Sequence, residues 1–274
     1  MASHFDRPTV SGSIYYATAG SGRRYCYAYD PPSSMSETNV NFAEYTVAVR
    51  DTRSRIRPLR LDVEGATVVP FRSSIRSYDD IIEVTDRGYT EAEQLLRRTT
   101  GAAEVVVFDH NIRRGGDPAA TRQRTEPKRP VFHAHTDFTA NSAFVRASMV
   151  LGAERLRARR FMAVNLWRPI AGPVLDSPLA ICDASSVVES DLKQADLIYP
   201  DRTGEINYLA YNPDHRWYYV REMRSDQAWV FKNYDSAGNT SARFTPHSAF
   251  LDRPPNSANA PRQSIEFRAF ALFG

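Results

Sequence analysis

Cysteine is nearly absent from this chain: Cys26 and Cys182 are the two in 274 residues. That scarcity excludes a disulfide framework and favours a reducing compartment. Cys182 stands in an apolar run and is expected to be a small buried hydrophobe rather than a nucleophile. Long apolar runs are missing too. None approaches the roughly 20 residues that cross a bilayer, and the opening Met1-Ala-Ser-His-Phe-Asp-Arg-Pro8 has no apolar signal core. An excess of one charge is also lacking, since 35 Lys and Arg against 32 Asp and Glu leave +3. So slight a charge does not argue for nucleic acid or a membrane surface, although the many arginines suit acidic small molecules. The expectation is a soluble, cytoplasmic protein whose partner is a small molecule.

What is present is enough for a sizeable core. Hydrophobic residues make up 42% and aromatics 11% of the chain, a composition and length that fit one domain. Short alternating segments dominate, with turn signals between them. Residues 13–30 alternate tyrosines around Gly20-Ser-Gly22 and read as an N-terminal hairpin. Residues 42–50, 67–71, 103–109, 161–167, 178–183, 228–234 and 242–250 read as strands. Residues 205–211 and 216–221 flank the turn-forming Asn212-Pro-Asp-His215 and read as a second hairpin, with His215 structural. Thr90 followed by Glu93 has the form of a capping box for a helix ending near Gly101. Residues 141–159 have helical spacing, with Phe144, Met149 and Leu156 expected in the core. Residues 115–130, rich in Gly, Pro, Arg and Thr, read as a loop able to serve as a lid. The fold class is mainly β with flanking helices (α+β): a double-stranded β-helix, or jelly roll, of cupin-like form. Residues 1–274 form one domain, in which 1–100 pack on a core of 103–274.

Within this frame one stretch concentrates chemistry. Val131-Phe-His-Ala-His-Thr-Asp-Phe-Thr139 places His133, His135 and Asp137 at every second position, where an extended strand would turn all three to one face. His135 and Asp137 are the H-x-D half of a two-histidine, one-carboxylate iron site, a ligand set that leaves coordination positions open. A candidate third ligand lies far downstream, His247 in Ala242-Arg-Phe-Thr-Pro-His-Ser-Ala-Phe250. A Pro-rich loop follows, then Arg262-Gln-Ser264 opens the last strand. A keto acid chelated by iron needs a partner for its far carboxylate. Arg262, with the Ser264 hydroxyl on the same face, would supply a charge-assisted, bidentate one. His247 and Arg262 are expected on neighbouring antiparallel strands. Asn165 is a polar residue in an apolar strand and must find a partner. Together with Trp167, Arg168, Arg146 and the N-terminal tyrosines it is a candidate substrate contact.

An ordered series of motifs then carries a resemblance. Asn165-Leu-Trp-Arg-Pro169, Pro178-Leu-Ala-Ile-Cys-Asp183, His215-Arg-Trp-Tyr-Tyr219, Phe231-Lys-Asn-Tyr-Asp-Ser236 and the segment around His247 are involved. From about Val105 onward the chain resembles the family of the aspergillic-acid hydroxylase/desaturase, gibberellin desaturase and cephamycin methoxylation protein. The resemblance implies a non-haem Fe(II), 2-oxoglutarate-dependent oxygenase that uses dioxygen to tailor a secondary metabolite by hydroxylation, desaturation or oxidative cyclisation. It maps the metal ligands onto His135, Asp137 and His247, and the keto-acid anchor onto Arg262 and Ser264. His133-Ala134 departs from the family's pattern. Two other readings compete: a cupin-type dioxygenase using His133 with His135 and His247 and no keto acid, and a non-catalytic jelly-roll binding module.

Overall fold

The computed structural model describes residues 9–20, 22–115, 128–157, 159–238, 242–252 and 260–274. Most of the 115–130 segment and of the Pro-rich loop before Arg262 lies outside the described residues. In chain order, the strands begin with β1 (Thr9–Ala17), β2 (Tyr25–Tyr27), β3 (Phe42–Asp51), β4 (Ala66–Pro70) and β5 (Glu104–Arg114). Then come β6 (His135–Thr136), β7 (Phe161–Ala171), β8 (Leu179–Cys182), β9 (Leu192–Ile198) and β10 (Thr203–Leu209). The last are β11 (Trp217–Tyr219), β12 (Gln227–Asp235), β13 (His247–Ala249) and β14 (Gln263–Leu272). Nine form one sheet in the order β1-β3-β11-β8-β13-β6-β10-β9-β2, and five form another in the order β4-β12-β7-β14-β5. The two sheets face each other as a jelly roll.

Period-two alternation explains which side chains meet. Leu179 and Ile181 of β8 face inward against Trp167, Trp229 and Phe231 of the smaller sheet. Ala180 and Cys182 face the other way, into a cluster with Tyr16, Trp217 and Phe250. Cys182 is fully buried and burial drives its thiol upward, as a small core hydrophobe requires. On β14, Ile265, Phe267, Ala269 and Ala271 pack against Leu95 and Leu96 of α2 (Tyr89–Thr100) outside the small sheet. Ser264, Glu266 and Arg268 take the opposite face. In its first half the final strand is therefore apolar towards the helix and polar on its other face, which Phe270 and Leu272 return to apolar packing, and that polar half marks where the site lies.

Both expected hairpins are absent. β1 and β2 are the two outer strands of the large sheet, β1 pairing with β3 and β2 running parallel to β9. β10 pairs with β6 and β9, while β11 pairs with β3 and β8. A jelly roll joins strands that are distant in sequence, so adjacency along the chain is a poor guide to pairing. His247 and Arg262 likewise stand on different sheets, facing each other across the interior rather than side by side. Thr90 is not an N-cap. The helical run starts earlier, where Asp80 caps α1 (Ile81–Glu83), and continues through a π-helical stretch to α2. The Thr90 hydroxyl instead donates to the Asp86 carbonyl, and Glu93 accepts from the Val107 amide. The stop is as expected, with Gly101 left-handed at φ 71°. α3 (Ala140–Leu151) and α4 (Ala153–Leu156) cover one end of the roll. Leu156 is buried there, but Phe144 and Met149 are 50% and 65% exposed. Their helical spacing is real; it is Ala143, Ala147 and Leu151 that face the core.

Candidate active site

His135 lies on the two-residue strand β6, between β10 and β13, and its register partner on β13 is His247. Cross-strand neighbours on one face approach within about 5 Å, which brings two imidazoles from distant segments together. Their ring centroids are 4.4 Å apart. Asp137 follows β6, and its Oδ1 stands 3.6 Å from Nε2 of His135 and 3.7 Å from Nε2 of His247. One ligand atom from each of the three lies within 4.8 Å of the others. The nitrogens are presented correctly for a metal. Nδ1 of His135 donates to the His133 carbonyl at 2.7 Å, which leaves Nε2 with its lone pair free.

The carboxylate is held as carefully as the imidazoles. Asn165 on β7 donates to Oδ2 of Asp137 at 2.8 Å. Asn233 on β12 donates to the same oxygen at 3.3 Å and accepts from the Asp137 amide at 2.8 Å. Asn233 is the extra residue of a β-bulge, where the β12–β7 register slips between Lys232 and Tyr234; bulges commonly re-aim side chains beside active sites. The partner that Asn165 needed is thus Asp137, whose carboxylate it orients. Asn233 carried a similar signal, a polar residue on the face shared with Trp229 and Phe231, inside a motif quoted for the resemblance alone. Removing the Asn165 amide should loosen the carboxylate. Asn165→Ala is expected to lower Fe(II) affinity by about tenfold, measured by anaerobic metal titration; an unchanged affinity would assign Asn165 to packing.

Electrostatics prepare all three groups to bind a cation. Burial lowers the His135 pKa to about 4, with His247 adding to the shift. Burial also lowers His247. Burial alone would raise the Asp137 carboxyl, but His247, Arg268 and His135 more than offset it and hold it below the usual range. At neutral pH the set is two neutral imidazoles and one carboxylate. His133, also lowered to about 4 by burial, does not join them: its ring is stacked on Phe42 with centroids 3.8 Å apart. Its backbone serves His135 instead, and the cupin-type set of three histidines is not assembled. These burials have a pH consequence. Between about 4 and the unfolded value of about 6.5 the unfolded chain binds protons that the folded one refuses. Stability present above pH 6.5 is therefore lost as pH falls through that window, by about 2 kcal/mol at pH 5 for each of His133 and His135, with His247 acting in the same direction. The melting temperature of the iron-free protein should drop clearly from pH 7 to pH 5, and a flat profile would contradict the burial.

Beside the triad is a small cavity lined by Trp167, Arg262 and Glu266 as well as His135, Asp137 and His247. Arg262 is buried, with its guanidinium 5.4 Å over the Trp167 ring and one nitrogen donating to the Ser177 carbonyl. Its Nε and the hydroxyl of Ser264 are buried with no hydrogen-bond partner. Such orphaned donors are rare unless a ligand completes them. Burial and the neighbouring Arg113 pull the Arg262 pKa down, so its charge lacks compensation. Burial and Asp137 push the Glu266 carboxyl up to about 7. Arg113, Arg262 and Arg268 thus outweigh the carboxylates, and the cavity is suited to a compact anion. Sequence reasoning found Arg262 and Ser264 but not Arg113, Glu266 or Arg268, which lie in ordinary strands with no motif around them.

The other candidates divide. Trp167 lines the cavity as a platform for Arg262. Arg168 faces away, over the rings of Phe71 and Tyr78, and donates to the Ser225 carbonyl at 2.6 Å; the strand's alternation puts it outside the roll, and it lines neither cavity. The tyrosines of residues 13–30 line neither this cavity nor the larger one next to it. Arg146 on α3 lines that larger space, which shares Asp137 and Arg268 with the first.

Comparison with known proteins decides the family. A family model described as an oxidoreductase/YMDC permease-like domain matches residues 14–272. Hydroxylase/desaturase efuI of Hormonema carpetanum is 30% identical over 264 residues, covering 88% of each chain. The Fe(II)/2-oxoglutarate-dependent dioxygenase nvfI of Aspergillus novofumigatus is 30% identical over 273 residues, covering 93% of each. The solved iron and alpha-ketoglutarate-dependent endoperoxidase NvfI superposes with a TM-score of 0.86 at 26% identity, over 98% of this chain and all of that one. The chain belongs to the Fe(II)/2-oxoglutarate-dependent oxygenases. As a member it is a dioxygenase of small-molecule secondary metabolism, with Fe(II) as cofactor and 2-oxoglutarate and dioxygen as co-substrates. The oxygenase fold is the double-stranded β-helix seen here, and a purely binding role is set aside.

Proposed function

We propose that His135, Asp137 and His247 hold the iron of this oxygenase and that Arg262 and Ser264 bind the far carboxylate of 2-oxoglutarate. One observation carries the reading: three ligand atoms converge beside a cavity that also holds the two orphaned donors of Arg262 and Ser264. The residues fit the groups they would receive. Two neutral imidazoles and one carboxylate suit ferrous iron and leave positions open, and a buried guanidinium beside a hydroxyl suits a carboxylate. Bound there, iron, keto acid and dioxygen supply the oxidising power that removes hydrogen from an unactivated C–H bond. The chain's own work is positional. Asn165 and Asn233 fix the Asp137 carboxylate, the His133 carbonyl fixes the His135 tautomer, and Trp167 with the Ser177 carbonyl fixes Arg262.

The reading extends to residues 1–274 acting as one oxygenase domain, in the cytoplasm, without nucleic-acid or membrane partners. The two free cysteines support a reducing compartment, and no helix among the described residues is long and apolar enough to cross a membrane. The test is an anaerobic titration of Fe(II) and then 2-oxoglutarate into the protein, followed by visible absorption. One equivalent of each should produce the charge-transfer band of an iron–keto acid chelate. Iron binding without a band on adding the keto acid would sink the assignment of Arg262 and Ser264.

A further inference from the structure

The larger concavity runs from the protein surface to Asp137, and its composition narrows what can occupy it. One wall is α3, where Val145 and Met149, four residues apart and so on one helix face, are 45% and 65% exposed. Phe108, Phe138 and Leu197 extend the apolar lining on the strand side. Large apolar side chains left exposed inside a concavity are a binding surface in search of an apolar ligand.

The charges in the wall are mostly spoken for. Arg23 pairs with Asp196, Arg268 with Asp109, and Arg202 with Asp201. Glu205 accepts from the Thr139 hydroxyl at 2.6 Å and from Asn141 at 3.2 Å. Arg146 is different. Among the described residues it is the one arginine of this wall with no carboxylate in ion-pair range. It stands one residue from Val145 and one turn from Met149, with its guanidinium 5.2 Å over the Phe108 ring. The ring holds the cation at the cavity wall without neutralising it.

We infer that the substrate of this oxygenase is an apolar acid: a hydrocarbon framework resting on Val145, Met149 and Phe138, with one carboxylate bound by Arg146. Anchored at that end, the framework extends towards Asp137 and presents a C–H bond to the metal site. The inference rests on the iron assignment made above for its orientation, though not for the pocket itself.

Dodecanoate and dodecan-1-ol are suitable probes, sharing an apolar chain and differing in the charged group. Their binding to the full chain is measured by displacement of the fluorescent anion 1-anilinonaphthalene-8-sulfonate. Wild type should prefer the acid by about tenfold, the worth of one charge-assisted hydrogen bond. The preference should fall to near unity in Arg146→Gln and return largely in Arg146→Lys. If wild type binds neither probe, or both alike, or if Arg146→Gln keeps the preference, the inference is overturned. Iron uptake by the same preparations separates the two ideas. Selective acid binding without iron uptake would defeat the metal assignment and leave the acid pocket standing, whereas iron uptake without selectivity would do the reverse.

Discussion

Asp137→Ala is expected to abolish turnover, lowering it by about 10³-fold or more, because it deletes the one anionic member of the proposed iron site. Losing a residue that merely orients a ligand costs 10–100-fold in metal affinity or activity, and losing the ligand itself costs more. The effect is not confined to charge. Asn165 and Asn233 both donate to Oδ2 of Asp137, so alanine strands two buried amides at about 1–3 kcal/mol each. The variant should therefore be less stable as well as inactive, with a measurably lower melting temperature in the absence of iron. Anaerobic metal titration is the direct check. If Asp137→Ala still takes up one equivalent of Fe(II) at wild-type affinity, the triad is not the iron site.

The second large effect is expected at Arg262, and it has two parts of opposite sign. Removing a charge-assisted anchor for a carboxylate should raise the 2-oxoglutarate concentration for half-maximal turnover by about 10–100-fold. The same substitution removes a buried cation whose Nε has no partner and whose pKa is depressed by burial and Arg113. Without its anion that charge is a burden on the fold, although the contact with Trp167 and the bond to the Ser177 carbonyl offset part of it. Arg262→Ala should thus leave the melting temperature of the ligand-free protein about where it was. The stabilisation normally gained on adding 2-oxoglutarate should be lost. If the substitution leaves both the 2-oxoglutarate requirement and that stabilisation unchanged, the co-substrate binds elsewhere.

How far the sequence could be read depended on the kind of information each feature needs. Alternation along β7 and β8 was visible, and with it the burial of Cys182 and the shared inner face of Asn165 and Trp167. The helix stop at Gly101 was visible because a left-handed residue is a local requirement. The helix start was not: Asp80 and Thr90 both have capping chemistry, and packing of the run from Ile81 onward chose between them. The hairpins at 13–30 and 205–221 were wrong for a related reason. Tight turns and alternating tyrosines describe strands well and their partners badly. His133 shows the limit most sharply. It shares the spacing of His135 and Asp137, yet backbone pairing around a two-residue strand turned its ring against Phe42.

By itself the sequence determined the chemistry: two histidines and an aspartate in H-x-D…H order, an Arg-x-Ser near the end, and a β-rich chain to carry them. These are properties of residue type and order, which local physics and resemblance can read. Only the tertiary structure decided which residues serve them. Register across β6 and β13 set His135 against His247, a bulge in β12 aimed Asn233 at Asp137, and the opposition of two sheets placed Arg262 on the same cavity as these three residues. The pairings of His135 with His247 and of Asp137 with Asn233 join segments about a hundred residues apart, and no periodicity along the chain encodes a contact of that range.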